Sequence, residues 1–204
     1  MRIFELDAGL LASARERLAG RDDLFWLIGG SCTGKTTLSR EIAARTGMLR
    51  YDMDAQIFGD FGPFYNPERH PASTAWFSAE NPFAWALSLS LAEFDRLNRA
   101  ANAEYLDLLA DDLARRELRG PALIDGGITH PSVLVAVIPA RQVCCLEIDE
   151  AQRLACWEAS RERVEMRDWV RALPDPEAKW AHFLALDKQI SETIGAECRQ
   201  HGIA

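Results

Sequence analysis

The sequence predicts an α/β domain in which a parallel sheet is flanked by helices and carries a helical insertion. Three observations predict it. The runs Leu24-Phe25-Trp26-Leu27-Ile28, Pro121-Ala122-Leu123-Ile124-Asp125 and Val143-Cys144-Cys145-Leu146-Glu147-Ile148 have the near-continuous hydrophobicity of buried parallel strands. Helical patterns separate them. A glycine-rich loop, Gly29-Gly30-Ser31-Cys32-Thr33-Gly34-Lys35-Thr36-Thr37, follows the first run and opens the next helix. The chain has 204 residues, a length that suits one domain spanning 1–204.

Ahead of the first strand, Asp7 can cap a helix with Leu10, Leu11 and Leu18 on its apolar stripe and Gly20 at its end. The loop then fits G-x-x-x-x-G-K-[ST] through Gly29, Gly34, Lys35 and Thr36. Glycine accepts positive φ and has no side chain, so such a loop turns its N–H groups toward a phosphate. The helix behind it adds free N–H groups and the positive end of its dipole. Lys35 would reach the β- and γ-phosphates and the Thr36 hydroxyl would ligate Mg²⁺. The expected ligand is therefore ATP with Mg²⁺. In the helix itself, Leu38 and Ile42 stand one turn apart, and Gly47 sits at the C-cap position.

Met48-Leu49-Arg50-Tyr51 reads as the second strand, followed by Asp52 and Asp54. Alternate residues at a strand end point the same way, so these carboxylates can converge on a cleft; the competing reading is a helix cap at Asp54. An irregular loop rich in Gly, Pro and aromatics follows. Asn81-Pro82 opens a short helix, and Ser90 with Glu93 forms a capping box at the head of a long one. Residues 58–118 exceed any ordinary crossover, and they are expected to form a helical cover over the crevice. Asp125 closes the third strand ahead of Gly126-Gly127, where it can hold Mg²⁺ through water or simply end a turn. His130 is a loop residue. Asp149 caps a helix over 149–172 whose Arg163, Arg167 and Arg171 share one face. That face either pairs in solvent with Glu158, Glu162 and Glu165 or acts as a lid that brings arginines to a transferred phosphoryl group. A last helix runs to about Gln200, and His201-Gly202-Ile203-Ala204 has the look of an approach to another strand.

The formal net charge of −8 argues against a general nucleic-acid binder. No apolar run is long enough to cross a bilayer, and Met1-Arg2-Ile3 does not begin a signal peptide, so a cytoplasmic protein is expected. The five cysteines form no C-x-x-C pair. Most are expected to be small buried residues, while Cys32 is either an inert loop position or a thiol whose oxidation blocks the phosphate loop.

These motifs in this order resemble the small P-loop kinases of the shikimate kinase and nucleoside monophosphate kinase group, over residues 24–171. The resemblance implies the P-loop NTPase fold with strand order 2-3-1-4. By the same resemblance Asp52 serves Mg²⁺, Asp54 orients or deprotonates the acceptor hydroxyl, and Arg163 and Arg167 belong to a lid. The chain departs from the pattern in its longer, more aromatic insertion, which makes shikimate itself a poor fit. A fifth strand that would hold the base is missing or truncated. The function so implied is transfer of the γ-phosphate of ATP to a small-molecule acceptor, with no nucleic-acid or membrane partner. A nucleotide-binding sensor or interaction module is the alternative. The acceptor and the oligomeric state are not legible.

Overall fold

The computed structural model describes residues 4–204. Met1, Arg2 and Ile3, on which the signal-peptide reading rested, lie outside them, as does the Glu162 side chain named as an arginine partner. The elements run α1 (Ala8–Arg17), β1 (Leu24–Gly29), α2 (Lys35–Thr46), β2 (Leu49–Asp52), α3 (Met53–Ala55), α4 (Pro71–Phe77), α5 (Pro82–Ala86) and α6 (Leu91–Arg115). Then come β3 (Ala122–Asp125), α7 (Pro131–Val135), β4 (Val143–Leu146), α8 (Glu150–Ala159), α9 (Val164–Arg171) and α10 (Pro176–His201).

The four strands form one parallel sheet in the order β2-β3-β1-β4, as expected. In register, Leu27 stands beside Asp125, Asp52 beside Asp125, and Gly29 beside Leu146. At the carboxyl end β1 and β4 run two residues past β2 and β3, and the glycine-rich loop leaves from that longer end. One face of the sheet carries the main core. Leu24, Trp26 and Ile28 of β1 meet Ala122 and Ile124 of β3 and the buried face of α6, including Leu106 and Leu109. The opposite face is covered by α2, and there Phe25 remains 40% exposed. Leu38 does not form the inward stripe its spacing suggested; the buried residue of α2 is Ser39.

Local signals set the helix starts. The Asp7 carboxylate accepts from Gly9 N at 2.7 Å and Leu10 N at 3.1 Å. Asn81 accepts from Ala84 N at 3.1 Å with Pro82 behind it, and Ser90 with Glu93 completes its capping box. Each such cap is worth about 1 kcal/mol. Long-range polar contacts then fasten the insertion to α6. Buried Glu104 accepts from the N–H groups of Ala72 and Ser73, both at 2.8 Å, which satisfies the first turn of α4. Buried Asp107 holds Arg17, Arg69 at 2.8 Å and His70 at 3.0 Å. The excursion is thus a packed helical subdomain.

One expectation is corrected. The single helix over 149–172 is broken, because Ser160 is extended (φ −69°, ψ 131°) and a tight turn at Arg161–Arg163 separates α8 from α9. The segment is also well anchored: Trp157 and Val170 are buried against Trp180 and Leu186 of α10. At the far edge of the sheet, β4 meets no further strand among the described residues. Instead Cys145 N donates to the Ala204 carbonyl at 2.7 Å, and Ile203 enters the main core.

Candidate functional site

The loop between β1 and α2 is shaped for close approach. Gly29 has φ 150°, and a Cβ there would stand 2.4 Å from the Leu146 carbonyl oxygen. A Cβ on Gly30 would meet Ser191 Oγ of α10 at 2.2 Å. Cys32 and Gly34 both take left-handed φ, 66° and 84°, which turns the backbone into a concave ring ahead of α2. Ser31, Thr33 and Thr37 complete the ring and the first helical turn; Thr33 Oγ1 donates to Gly30 O at 3.0 Å. Lys35 Nζ lies over this ring and donates to the carbonyls of Gly29 and Gly30, both at 2.8 Å. Burial lowers its proton affinity, and the carboxylates of Asp54 and Asp125 work against that shift. An anion seated in the ring would take these donors.

Asp54 stands across from Lys35. It lies inside the short helix α3 and accepts from Gly127 N at 2.9 Å. Burial, the largest influence, raises its pKa above the usual carboxylate value, while Lys35 and the Gly127 N–H pull it back. The packing that holds it explains the double glycine. Gly126 and Gly127 have φ 81° and 78°; a Cβ on Gly126 would come within 2.5 Å of Asp54 Oδ2, and one on Gly127 within 2.2 Å of Met53 Cγ. A side chain on either glycine would therefore collide with Asp54 or Met53.

Asp52 and Asp125 are brought together, but through an arginine. Arg50 donates to Asp52 Oδ2 at 2.8 Å and to Asp125 Oδ2 at 2.7 Å, and Ser39 also donates to Asp125 Oδ2 at 2.7 Å. The other Asp52 oxygen caps α3 at Ala55 N, 3.1 Å away. One oxygen of Asp52 is thus in an ion pair and the other in a helix cap, and the cap proposed for Asp54 belongs to Asp52. Among the described residues no three acidic, His or Cys side chains are grouped as a metal site. Mg²⁺ beside a nucleotide takes most of its ligands from phosphate and water. The exposed Thr36 hydroxyl on the first turn of α2, with the Asp125 carboxylate behind it, fits that smaller demand.

The arginines divide. Arg163, at the N-cap of α9, stacks over Trp157 at 4.8 Å and is near enough to Lys35 to depress its proton affinity. Arg167 donates to the Glu158 carbonyl, and Arg171 reaches the Glu158 carboxylate at 3.2 Å. The break at Ser160 has turned these two toward α8, so the shared phosphate-facing row expected of an unbroken helix is not formed.

A cavity of about 400 Å³ opens between these groups and the insertion. Lys35, Asp54 and Gly126-Gly127 lie on its sheet side; Phe58, Trp76 and Phe83 and the α6 face from Phe94 to Tyr105 wall the other, as expected of residues 58–118. It also reaches Trp169 of α9 and Phe183 of α10. Several participants carry no local motif. Asp187 of α10 accepts from Trp157 Nε1 at 2.8 Å and binds buried Arg153, which fixes α8 to α10. Arg50 had one usable signal, its two-residue spacing from Asp52 on β2. Cys32 is not a free thiol: it is disulfide-bonded to Cys156 of α8, which leaves Cys144, Cys145 and Cys198 free. In comparison with known proteins, the chain matches no protein-family model and no curated protein sequence.

Proposed function

We propose that the protein is an ATP-dependent phosphotransferase of the P-loop kinase type, moving a γ-phosphoryl group to a hydroxyl of a small molecule. The observation that carries this reading is the placing of Lys35 and Asp54 on one cavity, beside the glycine-rich loop and opposite the helical insertion. A site that only bound nucleotide would need the ring and the lysine. It would not need a carboxylate opposite them, held by Gly127 N with its pKa raised by burial.

In this reading the ring of residues 29–37 and the α2 N-terminus bind the phosphates, and Lys35 leaves the Gly29 and Gly30 carbonyls for them. Thr36 and the Asp125 carboxylate would hold Mg²⁺, whose chemistry is to neutralise charge on the phosphates. Asp54 orients the acceptor hydroxyl and takes its proton. Arg163 is close enough to Lys35 to add positive charge at the transferred group, while Arg167 positions α9 against α8. The aromatic cover keeps water from the γ-phosphate.

Calorimetric titration of MgATP against the protein and Lys35→Ala tests the foundation. Loss of one charge-assisted contact should weaken binding by about 2 kcal/mol, roughly thirtyfold. Equal affinities would remove the nucleotide from this loop.

A further inference from the structure

The charges that line the cavity are few, and their signs narrow what an acceptor can be. Among the described lining residues only three are charged: Lys35, Asp54 and Asp187. Lys35 faces the phosphate ring. Asp187 is already bound to Arg153 and Trp157, so it offers no free charge. That leaves Asp54, a carboxylate, as the charged group nearest an acceptor. Two of the neutral polar side chains, Asn102 and Asn98, are tied into the fold. Asn102 Oδ1 accepts from Thr129 N at 2.9 Å, Thr129 Oγ1 at 3.1 Å and His130 N at 2.8 Å. Asn98 Nδ2 donates to the Phe94 carbonyl at 2.8 Å.

The wall opposite is aromatic and joined edge to face. Trp76 and Phe83 have ring centroids 5.2 Å apart, and Phe83 and Trp169 5.6 Å, which links the insertion to α9. Along α6, Phe94, Leu97, Ala101 and Tyr105 recur at helical spacing on the cavity, and Ala101 leaves room at its centre.

We propose that the acceptor is an uncharged, ring-bearing alcohol whose apolar body lies against Trp76, Phe83 and Trp169 and whose hydroxyl meets Asp54. The proposal rests on the phosphotransferase reading above. A phosphate or carboxylate on the acceptor would be buried with no free cation and beside Asp54, a cost of several kcal/mol. A sugar or polyol would bury hydroxyl groups against aromatic rings, each unpaired group costing about 1–3 kcal/mol. An apolar ring gains from the same wall, and aromatic contacts add about 0.5–1.5 kcal/mol beyond the burial itself. In the transfer, the acceptor oxygen bonds to the γ-phosphorus as the bond to the β,γ-bridging oxygen breaks. ADP leaves with that electron pair, and the hydroxyl proton passes to Asp54.

Two measurements on the full chain separate this from the reading beneath it. Indole-3-ethanol and 3-phenylpropanol are titrated by calorimetry with and without MgATP, against glycerol 3-phosphate, shikimate, glucose and choline. Phosphate ester formation from each is followed by phosphorus NMR. The expected result is binding of the two aromatic alcohols at least tenfold tighter than any comparator, undiminished by MgATP, with an ester formed from them. Phe83→Ala, at a half-exposed ring, and Ala101→Leu, which fills the cavity from α6, should each weaken alcohol binding about tenfold without changing MgATP affinity. Binding without ester formation would sink the phosphotransferase reading and leave the ligand class standing. Ester formation on an anionic, sugar or cationic acceptor would overturn the ligand class alone. Displacement of the alcohols by MgATP would make the aromatic wall a base site and overturn the proposal, as would failure of both alcohols to bind.

Discussion

Reduction of the Cys32–Cys156 bond should destabilise the protein and loosen α8 from the glycine-rich loop. The bond joins residues 124 apart in sequence whose Cα atoms are 6.3 Å apart. Closing a loop of that length in the unfolded chain is worth about 5 kcal/mol at 25 °C on chain-entropy grounds, and removal of native disulfides costs about 2–5 kcal/mol in practice. The lower figure is the expected one here, because the reduced protein keeps the apolar cluster in which Cys32 sits with Trp157, Phe183 and Leu186. For a chain of this size that amounts to about 4–8 °C in Tm. Thermal unfolding is compared with and without reductant for the wild type, Cys32→Ser and Cys156→Ser. Both variants should melt near the reduced wild type and ignore the reductant. Alkylation in denaturant should label three cysteines before reduction and all five after it. Five labelled thiols at the outset, with a Tm indifferent to reductant, would refute the account. Disulfides persist in oxidising compartments and are rare in the cytosol, so the same thiol count on protein alkylated inside cells tests the cytoplasmic expectation.

Two further outcomes follow from carboxylates whose pKa values are shifted. Asp54→Asn should cut acceptor turnover about 100-fold while leaving MgATP affinity largely intact. In the wild type, kcat/KM should fall on acidification at a pH above the ordinary carboxylate range, since burial raises the Asp54 pKa and the base must be ionised; full activity in the variant would reduce Asp54 to a structural contact of Gly127. At Asp107, burial acts upward but is outweighed by His70 and Arg69, which hold the pKa at about 2. A depressed folded-state pKa contributes stability that is complete above the unfolded value near 4 and is lost as pH falls toward 2, about 2 kcal/mol in all. Urea unfolding between pH 5 and 2 should show that loss in the wild type; Asp107→Asn should be less stable at pH 5 and lack the corresponding part of the acid slope.

What was legible in the sequence was local. Asp7, Asn81-Pro82 and Ser90 with Glu93 cap their helices because a cap is made by residues within three positions of each other. The strands were legible from their apolar runs. The position of Lys35 and Asp54 on one cavity follows from where β1 and β2 end in a parallel sheet. Contacts that span the chain carried no such signal. Arg50 meets Asp125 across 75 positions, and Arg153 meets Asp187 across 34. Residue type alone could not say whether Asp52 would face a metal or its neighbouring arginine. The break at Ser160 has no such signal, because the arginine spacing read as one helix lies wholly after it; Trp157 before the break and Val170 after it both pack against α10.

The helix α10 also bears on the β4 edge of the sheet. An edge strand exposes unpaired N–H and C=O groups, and here Ala204 and Ile203 meet that edge through one hydrogen bond and one buried side chain. The same helix touches the glycine-rich loop where Ser191 faces Gly30, faces Glu147 from Gly195, and holds Arg153 and Trp157 through Asp187. Loop, β4 and α8 are therefore all referred to one rigid element, with the Cys32–Cys156 bond as a second tie between loop and α8. A movement of α8 away from the loop must break the Asp187 contacts or carry α10 with it. Between α9 and the insertion no ion pair among the described residues crosses; there Phe83 meets Trp169, and Leu87 and Phe94 share the apolar cluster of Met166, Trp169 and Val170.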